Sequence, residues 1–144
     1  MAIDKGQAAT GSVAFRLDHG SGVPTYLQLV RQVEQALRLG LLGPGDQLPT
    51  VKETVESLAI NPNTVMKAYR ELEHRGLAAG RPGLGTFIKA KLQRVGGAEQ
   101  AALARRLSAW MRHAAAAGLD DQSITAMFDA VLRNLHEYED GMSA

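Results

Sequence analysis

Residues 61–77 read NPNTVMKAYRELEHRGL, and their first turn carries more polar chemistry than a surface helix needs. A residue ahead of proline is pushed out of helical backbone, and proline itself is pre-set for the first helical position. Asn61 is therefore the natural N-cap of a helix beginning at Pro62. One capping side chain suffices there, which leaves the amide of Asn63 spare. At roughly 100° per residue, Val65, Ala68, Tyr69 and Leu72 gather on one face. Asn63, Lys67, Arg70 and His74 gather on the opposite face, so the spare amide shares a solvent stripe with two permanent cations. Asn can pair bidentately with adenine, and Lys and Arg with guanine or phosphate, when such a stripe lies in a DNA major groove.

Working upstream, Thr50 and Glu53 match a capping box, in which hydroxyl and carboxylate satisfy free backbone donors of a first turn. A short helix starts there with Val51, Val55 and Leu58 on one face, and it stops near Ala59–Ile60. Two helices of this length joined by three or four residues form a helix-turn-helix candidate. Ahead of them, Tyr26, Leu29, Val30, Val33 and Leu37 recur at helical spacing from Pro24, with Gly40 as the closing residue. LLGPGDQLP, residues 41–49, is rich in turn formers and leaves room only for a very short strand at Leu48.

Downstream, LAAGRPGLGTFIKA, residues 77–90, reads as strand, glycine-rich turn and strand. Its tip, residues 81–85, carries one cation, Arg81, and two glycines, Gly83 and Gly85, that allow close backbone approach. A hairpin in this place after a helix-turn-helix is the wing of a winged helix-turn-helix, suited to phosphates or the adjacent minor groove. The fold class expected is α+β, mainly α. Residues 1–22 are read as an N-terminal arm, disordered over 1–12 with VAFRL as an extended segment. Residues 23–90 are the DNA-binding head, 91–98 a linker, and 99–144 a helical region for dimerisation or effector response.

Composition bounds the function. The 144 residues contain no cysteine and are 45% hydrophobic, which excludes a disulfide framework and a thiolate metal site. The N-terminus lacks the apolar core of a signal peptide and no segment approaches a membrane span, so a cytoplasmic location is expected. Residues 23–94 hold ten Lys/Arg against six Asp/Glu, a balance of +4, and residues 95–144 hold four against seven, a balance of −3. The basic half is the one expected to meet a polyanion.

The stretches VPTYLQLVRQV, GPGDQLPTVKE, NPNTVMKAYRELEHRGL and GLGTFI, in this order, closely resemble the GntR family of bacterial transcription regulators. The short two-helix tail makes the chain most similar to the YtrA subfamily. The resemblance covers about residues 13–90 and implies a dimeric winged helix-turn-helix that binds an inverted-repeat operator in double-stranded DNA, usually to repress. The DNA-binding residues it implies, with those read above, are Thr50, Lys52, Asn61, Asn63, Thr64, Lys67, Arg70, Arg81, Gly83 and Gly85. Lys52 stands where many members have arginine, which keeps the charge and loses the bidentate fork. Thr54 stands in place of the usual leucine and Ala59 of a frequent glycine, departures that bear on packing.

In the tail, Leu103, Leu107, Trp110 and Ala114 form one amphipathic pattern, and Ile124, Phe128, Val131, Leu135 and Tyr138 another. Gly118 and Asp120–Asp121 mark the break between them. Two such helices need each other, the head or a second subunit to cover their apolar faces. A homodimer interface is expected over Leu103, Leu107, Trp110, Phe128, Val131 and Leu135. A small-molecule effector stays open. His19, His74, His113 and His136 have no metal-ligand spacing, and no nucleophile–base pair, Walker loop or dinucleotide fingerprint occurs. No cofactor, metal or enzymatic activity is expected. The alternative reading is a winged-helix protein-interaction module, which would place exposed apolar residues where Asn63, Lys67 and Arg70 stand.

Overall fold

The computed structural model describes residues 13–143; residues 1–12, read above as disordered, lie outside it. Five helices and one hairpin follow in the order α1 (Thr25–Arg38), α2 (Val51–Leu58), α3 (Pro62–His74), β1 (Ala78–Arg81), β2 (Gly85–Ile88), α4 (Gly97–Ala116) and α5 (Asp121–Met142). They divide into two compact units, separated after Gly96.

In the first unit, Leu29, Val30, Val33, Ala36 and Leu37 form the buried stripe of α1. They meet Val65, Ala68, Tyr69 and Leu72, the buried face that the period of α3 requires. Ala68 is small, and its place among buried leucines and valines lets two helices approach closely. Arg75, at the end of α3, ties the pair at the surface. It donates to Glu34 of α1 at 2.7 Å and to Glu71 of its own helix at 2.9 Å.

The helix-turn-helix starts both its helices with side-chain caps, although of the capping box expected at Thr50 and Glu53 only the hydroxyl half is made. Thr50 Oγ1 accepts from Glu53 N at 3.0 Å to start α2, and Asn61 Oδ1 accepts from Asn63 N at 2.8 Å to start α3. Between them Ala59 turns the chain in the left-handed region, at φ 53° and ψ 47°, the one non-glycine residue with positive φ among those described. The frequent glycine at this position thus has a backbone reason, so this departure concerns conformation and not the packing expected from the sequence. The apolar face expected for α2 is also incomplete. Val51, Val55 and Leu58 are only partly buried against the core, and the fully buried residue of α2 is Thr54, at 2% exposure.

β1 and β2 pair antiparallel with Ala78 opposite Ile88 and Arg81 opposite Gly85. The very short strand expected at Leu48 is present as a single bridge one residue earlier, between Gln47 and Phe87. Leu48 N donates to Thr86 O at 2.9 Å and Ile88 N to Asp46 O at 2.8 Å, so residues 46–48 extend the wing sheet beside β2. Val13, Phe15 and Leu17 alternate onto the core as the extended arm predicts. Their neighbours pair with glutamines in place of a strand. Gln32 accepts from Arg16 N and donates to Arg16 O, and Gln28 does the same for Asp18.

The second unit is a helical hairpin. Asp120 Oδ1 caps α5 by accepting from Ser123 N at 2.8 Å. The hydrogen bonds of Ser123 hold the Asp120 carboxyl below its usual range. Ala114 and Ile124 are the buried residues of the two helices, and both lie next to the connecting turn. Farther along, the apolar side chains stay exposed, Val131 at 52% and Leu135 at 55%. The two helices therefore do not cover each other's apolar faces.

Candidate nucleic-acid interface

The polar stripe of α3 stands out in solvent as its period requires. Asn63, Lys67 and Arg70 are exposed, Thr64 is half-buried, and the opposite face is fully packed. Asn61 spends its side-chain oxygen on the cap, which separates it from Asn63, whose side-chain amide has no hydrogen-bond partner among the described residues. Lys67 is held over an aromatic ring, its Nζ 4.1 Å from the centroid of Tyr26 in the first turn of α1. Such a pair at an exposed site contributes about 0.5–1 kcal/mol, enough to bias the lysine's rotamers without fixing them.

Thr50 and the wing come together around one shallow cleft, lined by Thr50 and residues 80–86. The cleft thus gathers Thr50, Arg81, Gly83 and Gly85 from the residues marked in the sequence. Lys52 is exposed in the first turn of α2. The Thr50 hydroxyl already accepts from Glu53 N, and its proton remains available to an acceptor such as a phosphate. Arg81 does not stand free at the tip, because its guanidinium carbon lies 4.7 Å from the centre of the Phe87 ring.

Two residues of this surface were not marked in the sequence. Tyr26 reads there as part of the apolar stripe of α1, and nothing local announces that its ring would carry Lys67. Gln47 sits in a turn-rich segment and donates to the Leu84 carbonyl at 2.9 Å, a partner remote in sequence. No group of three or more His, Asp or Glu residues is placed to hold a metal among the described residues, and no helix there is long and apolar enough to cross a membrane.

Residues 25–88 match the family described as bacterial regulatory proteins, gntR family. The segment from α1 through the wing is therefore similar to a GntR-family domain. Its relatives include the HTH-type transcriptional repressor YtrA of Bacillus subtilis, 41% identical over 73 residues, covering 51% of this chain and 56% of that protein. The HTH-type transcriptional regulator Rv1152 of Mycobacterium tuberculosis is 44% identical over 73 residues, covering 51% of this chain and 60% of that one. The matches thus span little more than half the length of these relatives. Among solved structures, a transcriptional antiterminator from Listeria monocytogenes aligns with a TM-score of 0.54 and 26% identity, over 83% of this chain and 90% of that chain. For residues 25–88, the mainly helical winged fold expected from the sequence is the fold found.

Proposed function

We propose that this chain is a transcriptional regulator that binds an inverted-repeat operator as a homodimer, in the cytoplasm, and represses transcription. The observation that carries the reading is the exposed Asn63, Lys67 and Arg70 stripe on the second helix of a GntR-type helix-turn-helix. Asn63 would read a base edge, since its amide is not needed by the helix. Lys67 and Arg70 would meet guanine or phosphate, and Lys52, Thr50 and the wing would hold the flanking backbone. The repressor named among the relatives supports the direction of regulation.

Homodimerisation is supported by the tail. Leu103, Leu107, Trp110, Phe128, Val131 and Leu135 are all exposed in the single chain, and apolar surface gathered on two helices in this way marks an association site. A second copy supplies a matching surface and the symmetry an inverted repeat demands. The protein-interaction reading fits α3 less well, because the exposed stripe where apolar residues would be needed carries Asn63, Lys67 and Arg70.

The test is an electrophoretic titration on the DNA upstream of the coding gene at two salt concentrations. Affinity should fall steeply as salt rises, because each cation that meets a phosphate releases counterions. Absent binding, or binding indifferent to salt, would remove the proposal.

A further inference from the structure

The wing tip presents an apolar side chain on a pinned backbone. Leu84 N donates to Arg81 O at 2.9 Å, closing a turn with Pro82 second and Gly83 third at φ 74°. That is the type II pattern, which demands a positive φ at the third position and favours glycine there. The Leu84 carbonyl accepts from Gln47 Nε2 at 2.9 Å. Gln47 reaches it through space that only glycine leaves open, since a Cβ on Gly85 would stand 2.6 Å from that nitrogen. Both backbone polar groups of Leu84 are thus engaged within the head, while the residue is 65% exposed. The wing's arginine is drawn back over Phe87.

A single exposed leucine is ordinary on a protein surface. One held by its own backbone at the tip of a DNA-facing hairpin has already lost the freedom that binding would otherwise remove. We propose that Leu84 is a specificity-determining residue, an apolar probe set against the floor of the minor groove that favours A·T over G·C pairs beneath the wing. Gln47 is its positioning residue. The inference rests on the DNA-binding reading above and adds to it a base preference and its cause.

The chemistry lies in one group. In the minor groove A·T and T·A pairs show only acceptors, while a G·C pair adds the exocyclic amino group of guanine. That group occupies the floor a leucine would enter, and a leucine offers it no acceptor in exchange for lost water. Over A·T pairs the groove is narrower and unobstructed, so its walls close on the side chain.

The experiment uses the full chain and duplexes derived from one operator, selected by the wild-type protein from a random-sequence pool. The duplexes differ only beneath the wing, carrying A·T, G·C or inosine·C pairs; inosine pairs like guanosine and lacks the amino group. The wild-type protein should bind the A·T and inosine·C duplexes alike and the G·C duplex roughly tenfold or more weakly, within the range for one wrong pair. Leu84→Ser should bind all three nearly equally, and Gln47→Ala should lose part of the discrimination while keeping the leucine. Equal wild-type affinity for inosine·C and G·C duplexes, or discrimination that survives Leu84→Ser, overturns the inference. Recovery of no duplex from the pool instead overturns the DNA-binding reading beneath it.

Discussion

Thr54 Oγ1 lies 3.3 Å from Tyr69 OH, and the tyrosine gives its one proton to the Pro49 carbonyl, so the threonine is the donor of the first bond. The two hydroxyls form a relay that joins α2 to α3 and fastens both to the segment entering α2. The angle between α2 and α3 therefore rests on polar contacts inside an apolar core. The leucine usual at residue 54 could pack there and could not make this bond.

The relay predicts an alkaline limit. Burial pushes the Tyr69 hydroxyl up to about 12, with the bond from Thr54 opposing and the charge of Glu53 adding. The folded state thus prefers the protonated phenol, and this preference is fully present below the ordinary tyrosine value near 10. It fades as pH rises through the window from about 10 to 12, by roughly 2 kcal/mol at the upper end. Urea unfolding across that range should show the loss in the wild-type protein and a smaller one in Tyr69→Phe. At neutral pH that variant should be about 1–3 kcal/mol less stable, because the Pro49 carbonyl loses its donor.

Ala59 makes the opposite kind of prediction. A left-handed residue with a Cβ costs about 1–2 kcal/mol that glycine avoids, against a loss of up to about 1 kcal/mol from the greater freedom of glycine when unfolded. Ala59→Gly should raise stability by roughly 0.5–1 kcal/mol in the same unfolding measurement. A destabilised variant would mean that the turn is not left-handed in solution.

Much of this molecule is legible in the sequence because its decisive signals are local. The caps at Thr50, Asn61 and Asp120 each need only a partner two or three residues away, and the 3.6-residue period alone separates the two faces of α3. Thr54 is legible only as a polar residue at a position usually held by leucine, for the complementary reason. Its polarity argues for an outward place, and the partner that satisfies it inside, Tyr69, belongs to another helix. Tyr26 and Gln47 are invisible in the same way, since their roles depend on Lys67 and Leu84, brought near only by folding. The tail patterns are legible as two helices, but the apolar faces of α4 and α5 stay exposed, so what covers them is not written in the hairpin itself.

The tail predicts its own separation of stability from assembly. Leu107 and Leu135 are exposed in the single chain, so Leu107→Asp with Leu135→Asp should change monomer stability little. In sedimentation the wild-type protein should be a dimer and the double variant a monomer. The variant should bind the full operator at least about a hundredfold more weakly, having lost the linkage between two half-sites. A double variant that remains a dimer would move the interface elsewhere.

If the outer stripe of α3 reads bases, two asparagines two residues apart will behave differently when truncated. The measurement is the affinity of Asn63→Ala and Asn61→Ala for the operator and for random duplex at one salt concentration, with unfolding stability measured alongside. Asn63→Ala should lose about 1–3 kcal/mol on the operator, little on random duplex and little stability. Asn61→Ala should lose roughly 1 kcal/mol of stability as a missing cap. Equal losses of Asn63→Ala on operator and random DNA would contradict base reading by α3, because the amide would then be touching phosphate and reading nothing.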